Sequence, residues 1–213
     1  MLRVISIFLI TIFGVELATS QSREDWKLKR DRWNIKIYTK KQEDSKLNAY
    51  LAETTLDGDV QSALSVLKDI NGYHDLFKDI KHLEIVEQNE TSHVIYYRFN
   101  TPFPAKDRDA YIRSDFEFDS KTQQLQMNMS CVENLPKKGK LIRIDDCHGY
   151  WQITEHTPDM ISISHFFESD AKGKLPAFII NQFTTKNPMH SLRQFKELIK
   201  LPKHQNRNFA LIK

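Results

Sequence analysis

From Leu83 to Phe167 the apolar residues recur at every second position, segment after segment, and this long period-two tract most narrows the folds open to the chain. The segments are Leu83 to Val86, His93 to Phe99, Asp109 to Phe118, Leu125 to Val132, Lys140 to Asp145, Trp151 to Thr154 and Ile161 to Phe167. Short polar turns join them, at Gln88 to Ser92, Asp119 to Gln123, Cys147 to Gly149 and Pro158-Asp159. Connections this short predict antiparallel neighbours, because parallel strands need a long crossover. After Gly173 the period becomes helical: Ala177, Phe178, Ile179, Phe183, Leu192, Phe195, Leu198 and Ile199 form one broad stripe, bent at Pro188.

The first part of the chain is mixed. Asp25 to Trp33 reads as a short opening helix, and Ile35 to Thr39 and Leu47 to Leu56 as strands around a polar loop. Asp59 is a natural cap for a helix carrying Val60, Ala63, Leu64, Leu67 and Ile70, and a second short helix is expected over Tyr73 to Ile80. The expected class is α+β: a curved antiparallel sheet with a long bent C-terminal helix across it and two small helices inserted early.

Residues 1–20 read as a signal peptide, with Arg3 before an apolar run from Val4 to Val15 and small residues at Ala18 and Ser20. The expectation is an exported protein, periplasmic or secreted. One domain spans 21–200, and a basic tail follows over 201–213. The net charge of +3 is spread among acids, which is no footprint for nucleic acid, and a monomer is expected. The two cysteines, Cys131 and Cys147, can make one bridge. A hairpin turn at Leu135 to Gly139 would set them face to face, whereas strict alternation puts Cys131 with Met127 and Met129 but Cys147 with Arg143. A bulge could reconcile the two, and the pairing stays open.

The stretches "PFPAKDRDAYI", "LPKKGKLIRI", "GYWQIT" and "LPAFIINQFTTKNPMHSLRQF", in that order and spacing, resemble the StAR-related lipid-transfer (START) domain family over roughly Trp33 to Ile199. The resemblance implies a helix-grip fold: a curved antiparallel sheet wrapped around the C-terminal helix, with a hydrophobic tunnel between them that holds a lipid. It also implies lid loops at Asp119 to Gln124 and Ser169 to Lys174. Sterol-binding relatives carry an inward arginine where Ser114 stands and an inward acid near Ile95. This chain has neither, so cholesterol-type recognition is not carried over. Fatty acid, phospholipid, hopanoid and sterol remain open as ligands.

Alternation then names the tunnel lining. Arg108, Ala110, Ile112, Ser114, Phe116 and Phe118 share one face, joined by Ile95, Tyr97, Leu125, Met127 and Met129. The last strand adds Ile161, Ile163, His165 and Phe167, and the helix Phe178, Ile179 and Phe183. Plain core packing is the alternative for each. An inward Arg108 needs partners, and Asp107 or a neighbouring carboxylate is the expected one. It is either a structural clamp at the tunnel end or a holder of a lipid head group.

No catalytic residue, metal set or cofactor motif is found: HExxH, paired metal-type histidines, a Gly-rich phosphate loop and G-x-S-x-G are all missing. Relatives of this architecture include enzymes built in the same cavity, so a buried acid there would matter, with Glu133 and Asp145 as candidates. The expected function is binding and carriage of a lipid-like molecule. A cavity-based enzyme and a ligand-free interaction module are the alternatives. The tail cations suggest transient contact with an anionic membrane surface.

Overall fold

The computed structural model describes residues 25–212 apart from Asp44, Lys46, Lys137 and Lys174. The signal peptide expected over 1–20 lies outside them. The order is β1 (Lys27–Arg32), β2 (Ile35–Lys40), β3 (Ala49–Asp57), α1 (Val60–Lys68), α2 (Tyr73–Leu76), β4 (Ile80–Gln88), β5 (Ser92–Phe99) and β6 (Arg108–Asp119). It continues with β7 (Gln124–Cys131), β8 (Ile142–Arg143), β9 (Cys147–Thr157), β10 (Met160–Ser169), α3 (Ala177–Asn181) and α4 (Asn187–Leu198). The sheet runs β1–β2–β3–β10–β9–β7–β6–β5–β4, antiparallel throughout, with β8 attached to β6. Among the described residues no helix is long and apolar enough to cross a membrane.

The helix expected over Asp25 to Trp33 is instead the edge strand β1. Its residues are all exposed, so no buried face imprinted a period on the sequence. Trp33 and Asn34, at φ 57° and 56°, make the tight turn into β2. The Arg32 and Arg193 guanidinium carbons each lie 4.3 Å from the Trp33 ring centre. The second early helix is also shorter than expected, ending at Leu76 because Phe77 turns extended and leads into β4. Asp59 does cap α1, accepting from the Ser62 N–H at 2.8 Å.

The Lys140 to Asp145 segment is not a hairpin partner of β7. Only Ile142 and Arg143 pair, and they do so in parallel with Arg108 and Asp109 of β6. The connection from β7 to β9 therefore crosses to the edge of β6 that β7, pairing only from Ile112 onward, leaves open, before returning. Its anchor is a buried bidentate pair: Arg143 Nε donates to Asp109 Oδ1 at 3.0 Å and Nη2 to Oδ2 at 2.8 Å. Arg143 also donates to the Leu135 and Pro136 carbonyls, each at 3.0 Å, and lies over the Tyr111 ring.

β9 then pairs directly with β7. Ser130 stands opposite His148, so the next rung brings Cys131 and Cys147 together in a disulfide of 2.04 Å. No bulge is needed, since Met127 and Trp151 occupy the same face four rungs further on. The bridge closes a loop of 16 residues. Reduction, or Cys131→Ala with Cys147→Ala, is expected to cost about 3 kcal/mol on the chain-entropy estimate for such a loop. Urea unfolding with and without dithiothreitol measures this, and coincident curves would refute it.

The C-terminal helix is continuous but irregular. Between α3 and α4, Gln182–Lys186 forms a π-helical turn, with the Asn187 N–H reaching back to the Gln182 carbonyl. Pro188 follows at once, and the widened turn accommodates its missing N–H. α4 lies across β2 and β3, and its Phe195 stacks on Trp151 of β9 at 5.5 Å. The tail does not run free. Lys203 pairs with Asp69 at 2.6 Å, His204 Nδ1 meets the Ser65 hydroxyl at 2.9 Å, and Phe209 N–H donates to Gln61. It straps back over α1, which engages part of the charge expected to face a membrane.

Candidate functional site

A cavity of about 180 Å³ lies between the inner face of the sheet and the α3–α4 segment. Of the residues that alternation placed inward, Tyr97, Arg108, Ala110, Ile112, Ser114, Met127, Met129, His165, Phe167 and Phe183 line it. Ile95, Phe116, Leu125, Ile161, Ile163 and Ile179 are inward but sealed in the core away from the cavity, and Phe118 packs at its margin. The reason is that α1 and α2 fill part of the concave face. Phe116, for instance, lies against His93 and under the Lys68 ammonium of α1. Period two reports which face a residue takes, not which length of that face a helix covers.

Phe178 departs further: it is 55% exposed, on the first turn of α3. A single stripe assumes 3.6 residues per turn throughout, and the π turn breaks that register between α3 and α4.

Arg108 is inward and only 3% exposed, but its partners are not carboxylates. Nη1 donates to the Lys106 carbonyl at 2.5 Å, Nε to Ala171 at 3.3 Å and Nη2 to Lys172 at 3.2 Å. The guanidinium thus ties the loop after β10 to the start of β6. Asp107, the expected partner, turns away to Arg98 at 3.0 Å, Lys81 at 3.2 Å and the Thr101 N–H. With a basic side chain on each flank it has no need of Arg108. Burial lowers the Arg108 pKa, with the Asp107 charge acting the other way.

Several cavity residues escaped the sequence reading. Tyr50 on β3 and His165 on β10 meet edge to face, Oη to Nε2 at 2.7 Å, while His165 Nδ1 lies 3.1 Å from the Tyr150 carbonyl and its ring stacks on Trp151 at 4.0 Å. Burial lowers the His165 pKa to about 3, against the opposing bond to Tyr150. Tyr73 and Phe77 enter from α2 and its end, and Thr184, Asn187 and Ser191 from the helix. Their signal was absent because the short α2 carries too few turns to show a stripe. Asp79 also lies on the wall. Burial raises its pKa, while Lys78 and a 3.5 Å bond from Gln182 oppose the rise.

The cavity offers little for catalysis. Glu133 is exposed, and Asp145 is paired to Lys172, whose hydrogen bond holds its carboxyl below the usual range; neither lines the cavity. His165 Nε2 is already engaged by Tyr50 Oη. Among the described residues no group of three or more His, Cys, Asp or Glu is placed to hold a metal.

No family model matches the chain. An uncharacterized protein of Pseudomonas aeruginosa is 22% identical over 182 residues, 85% of this chain and 89% of that one. Among solved structures, a STAR-related lipid transfer protein from Xanthomonas axonopodis superposes with a TM-score of 0.74 at 21% identity, over 84% of this chain and 100% of that one. Human StAR-related lipid transfer protein 5 gives 0.69 at 16% identity (84% of this chain, 88% of that), and human STARD10 gives 0.68 at 17% (82% and 73%). The sheet, the early helix pair and the C-terminal helix of this chain are together the helix-grip fold that these START structures share.

Proposed function

We propose that this protein binds a lipid-like molecule in the cavity under its C-terminal helix and carries it in an oxidising compartment outside the cytoplasm. One observation carries the reading. The cavity wall is mainly apolar, built from Ile112, Met127, Met129, Phe167 and Phe183, with a few separated polar groups. Two more support it: the START architecture, and the Cys131–Cys147 bridge, which suits an oxidising environment.

Size restricts the ligand. At about 180 Å³ the space slightly exceeds the roughly 150 Å³ apolar cavity that admits benzene. It takes one ring or part of an acyl chain as it stands, and a larger lipid needs the loop held by Arg108 to move. Each methylene buried would contribute about 0.8 kcal/mol, so chain length should tune affinity up to that limit.

The test is mass spectrometry on protein purified from its native compartment without detergent. A ligand in molar proportion, present under native conditions, lost on denaturation and found in the organic extract, is the expected result. An apo mass that persists after incubation with mixed lipids would refute the reading.

A further inference from the structure

Which polar group should that ligand carry? The answer rests on the cavity reading above and comes from the direction of hydrogen bonds. The Tyr150 carbonyl can only accept, so its contact with His165 Nδ1 requires the proton on Nδ1. Burial keeps the ring neutral, which leaves Nε2 with a lone pair and no proton. Tyr50 Oη, at 2.7 Å from Nε2, must therefore donate to it. The phenol has one proton, and it is committed; only its lone pairs remain for the cavity.

The helix side repeats the arrangement. Thr184 Oγ1 donates to the Ile180 carbonyl at 2.8 Å and Ser191 Oγ to the Asn187 carbonyl at 3.1 Å, so both also present acceptors. Tyr97 and Ser114 line the cavity with hydroxyls that can turn either way and discriminate neither role. Arg108 spends three of its five N–H groups on backbone carbonyls, and the two left on Nη1 and Nη2 make capture of a carboxylate there the rival outcome. Lys78 and Asp79 stand side by side on the wall with opposite charges.

We propose that the cavity selects molecules whose polar end donates a hydrogen bond, an alcohol or an amide N–H, with Tyr50 Oη as the acceptor. The same skeleton ending in a carboxylate or an ether is disfavoured. Either would bring acceptor against acceptor, and relieving the clash with a water would mean holding that water against a mainly apolar wall.

The experiment compares 1-decanol, its isomer nonyl methyl ether, and decanoate as competitors of a neutral one-ring probe, toluene, followed by ligand-observed NMR. Decanol should displace the probe at about tenfold lower concentration than the other two, the scale set by one unmade buried hydrogen bond. In Tyr50→Phe, with its circular dichroism unchanged, the gap should close to about twofold. Equal displacement by decanol and the ether, a preference for decanoate, or a gap that survives Tyr50→Phe overturns the proposal while leaving the cavity reading intact. Failure of the probe and all three chains to bind folded protein overturns both. Ring-nitrogen NMR of His165 in the unaltered protein needs no variant. A proton on Nδ1 between about pH 5 and 8 is expected, and a proton on Nε2 would overturn the donor direction.

Discussion

Replacing Arg143 with leucine should destabilise the protein by about 3–5 kcal/mol, the cost of stranding one buried partner of an ion pair. The remaining partner is Asp109, whose side chain is 2% exposed and which loses both of its guanidinium bonds. The Leu135 and Pro136 carbonyls lose theirs as well, so the crossing between β7 and β9 should loosen. The double change Asp109→Leu with Arg143→Leu should recover most of the loss, because two apolar groups of similar size leave no charge in a low dielectric. The surface pair of Lys138 and Glu84 is the control: both side chains are well exposed, and Lys138→Ala is expected to cost under about 1 kcal/mol. Chemical denaturation of the four proteins decides. A loss below about 1 kcal/mol for Arg143→Leu alone would mean that the pair is not what holds the crossing.

Acid is the second large lever, and it destabilises. Burial lowers the pKa of His165 to about 3 and that of His93 to about 4, in His93 with help from the nearby Lys68 charge and against Asp115. Both are depressed relative to the 6.5 of an unburied histidine. As pH falls below that value the unfolded chain takes up protons that the native protein refuses, so stability is complete above about pH 7 and drains away on acidification. Between pH 7 and 5 each histidine should contribute a loss of about 2 kcal/mol. His190 and His204, also shifted down by burial, act in the same direction, while Asp79, shifted up, acts in the opposite one at lower pH. The window above pH 5 isolates the histidines, because carboxylates held low by partners, such as Asp107 and Asp145, titrate beneath it. Urea midpoints that stay flat from pH 7 to 5 would contradict the assignment, and His165→Gln should reduce the slope.

Much of the architecture was legible because burial on one face leaves a periodic trace. Gln124–Cys131, Cys147–Thr157 and much of Met160–Ser169 alternate in this way, whereas Ser92–Phe99 is buried on both faces. β1 was illegible for the converse reason: an edge strand with every residue exposed carries no such trace. β8 misled because two apolar positions in a polar loop look the same whether the partner is antiparallel or parallel. At the site, the inward turn of Arg108 could be read from alternation, but its partners could not. Backbone carbonyls are present at every residue and have no signature in sequence. The Tyr50–His165 contact joins residues 115 apart, and nothing local to either announces the other.

The way Arg108 holds the loop after β10 bears on which changes the loop can absorb. The cation grips the main chain at Ala171 and Lys172, so it is indifferent to the side chains there. Substitutions along the loop leave the tether intact, whereas inserting or deleting one residue shifts both carbonyls off the fork. Loop length is what the fork itself constrains; loop identity enters only through the buried Ala171, the Asp170 carboxylate that takes the Lys172 N–H, and Gly173 at φ 72°.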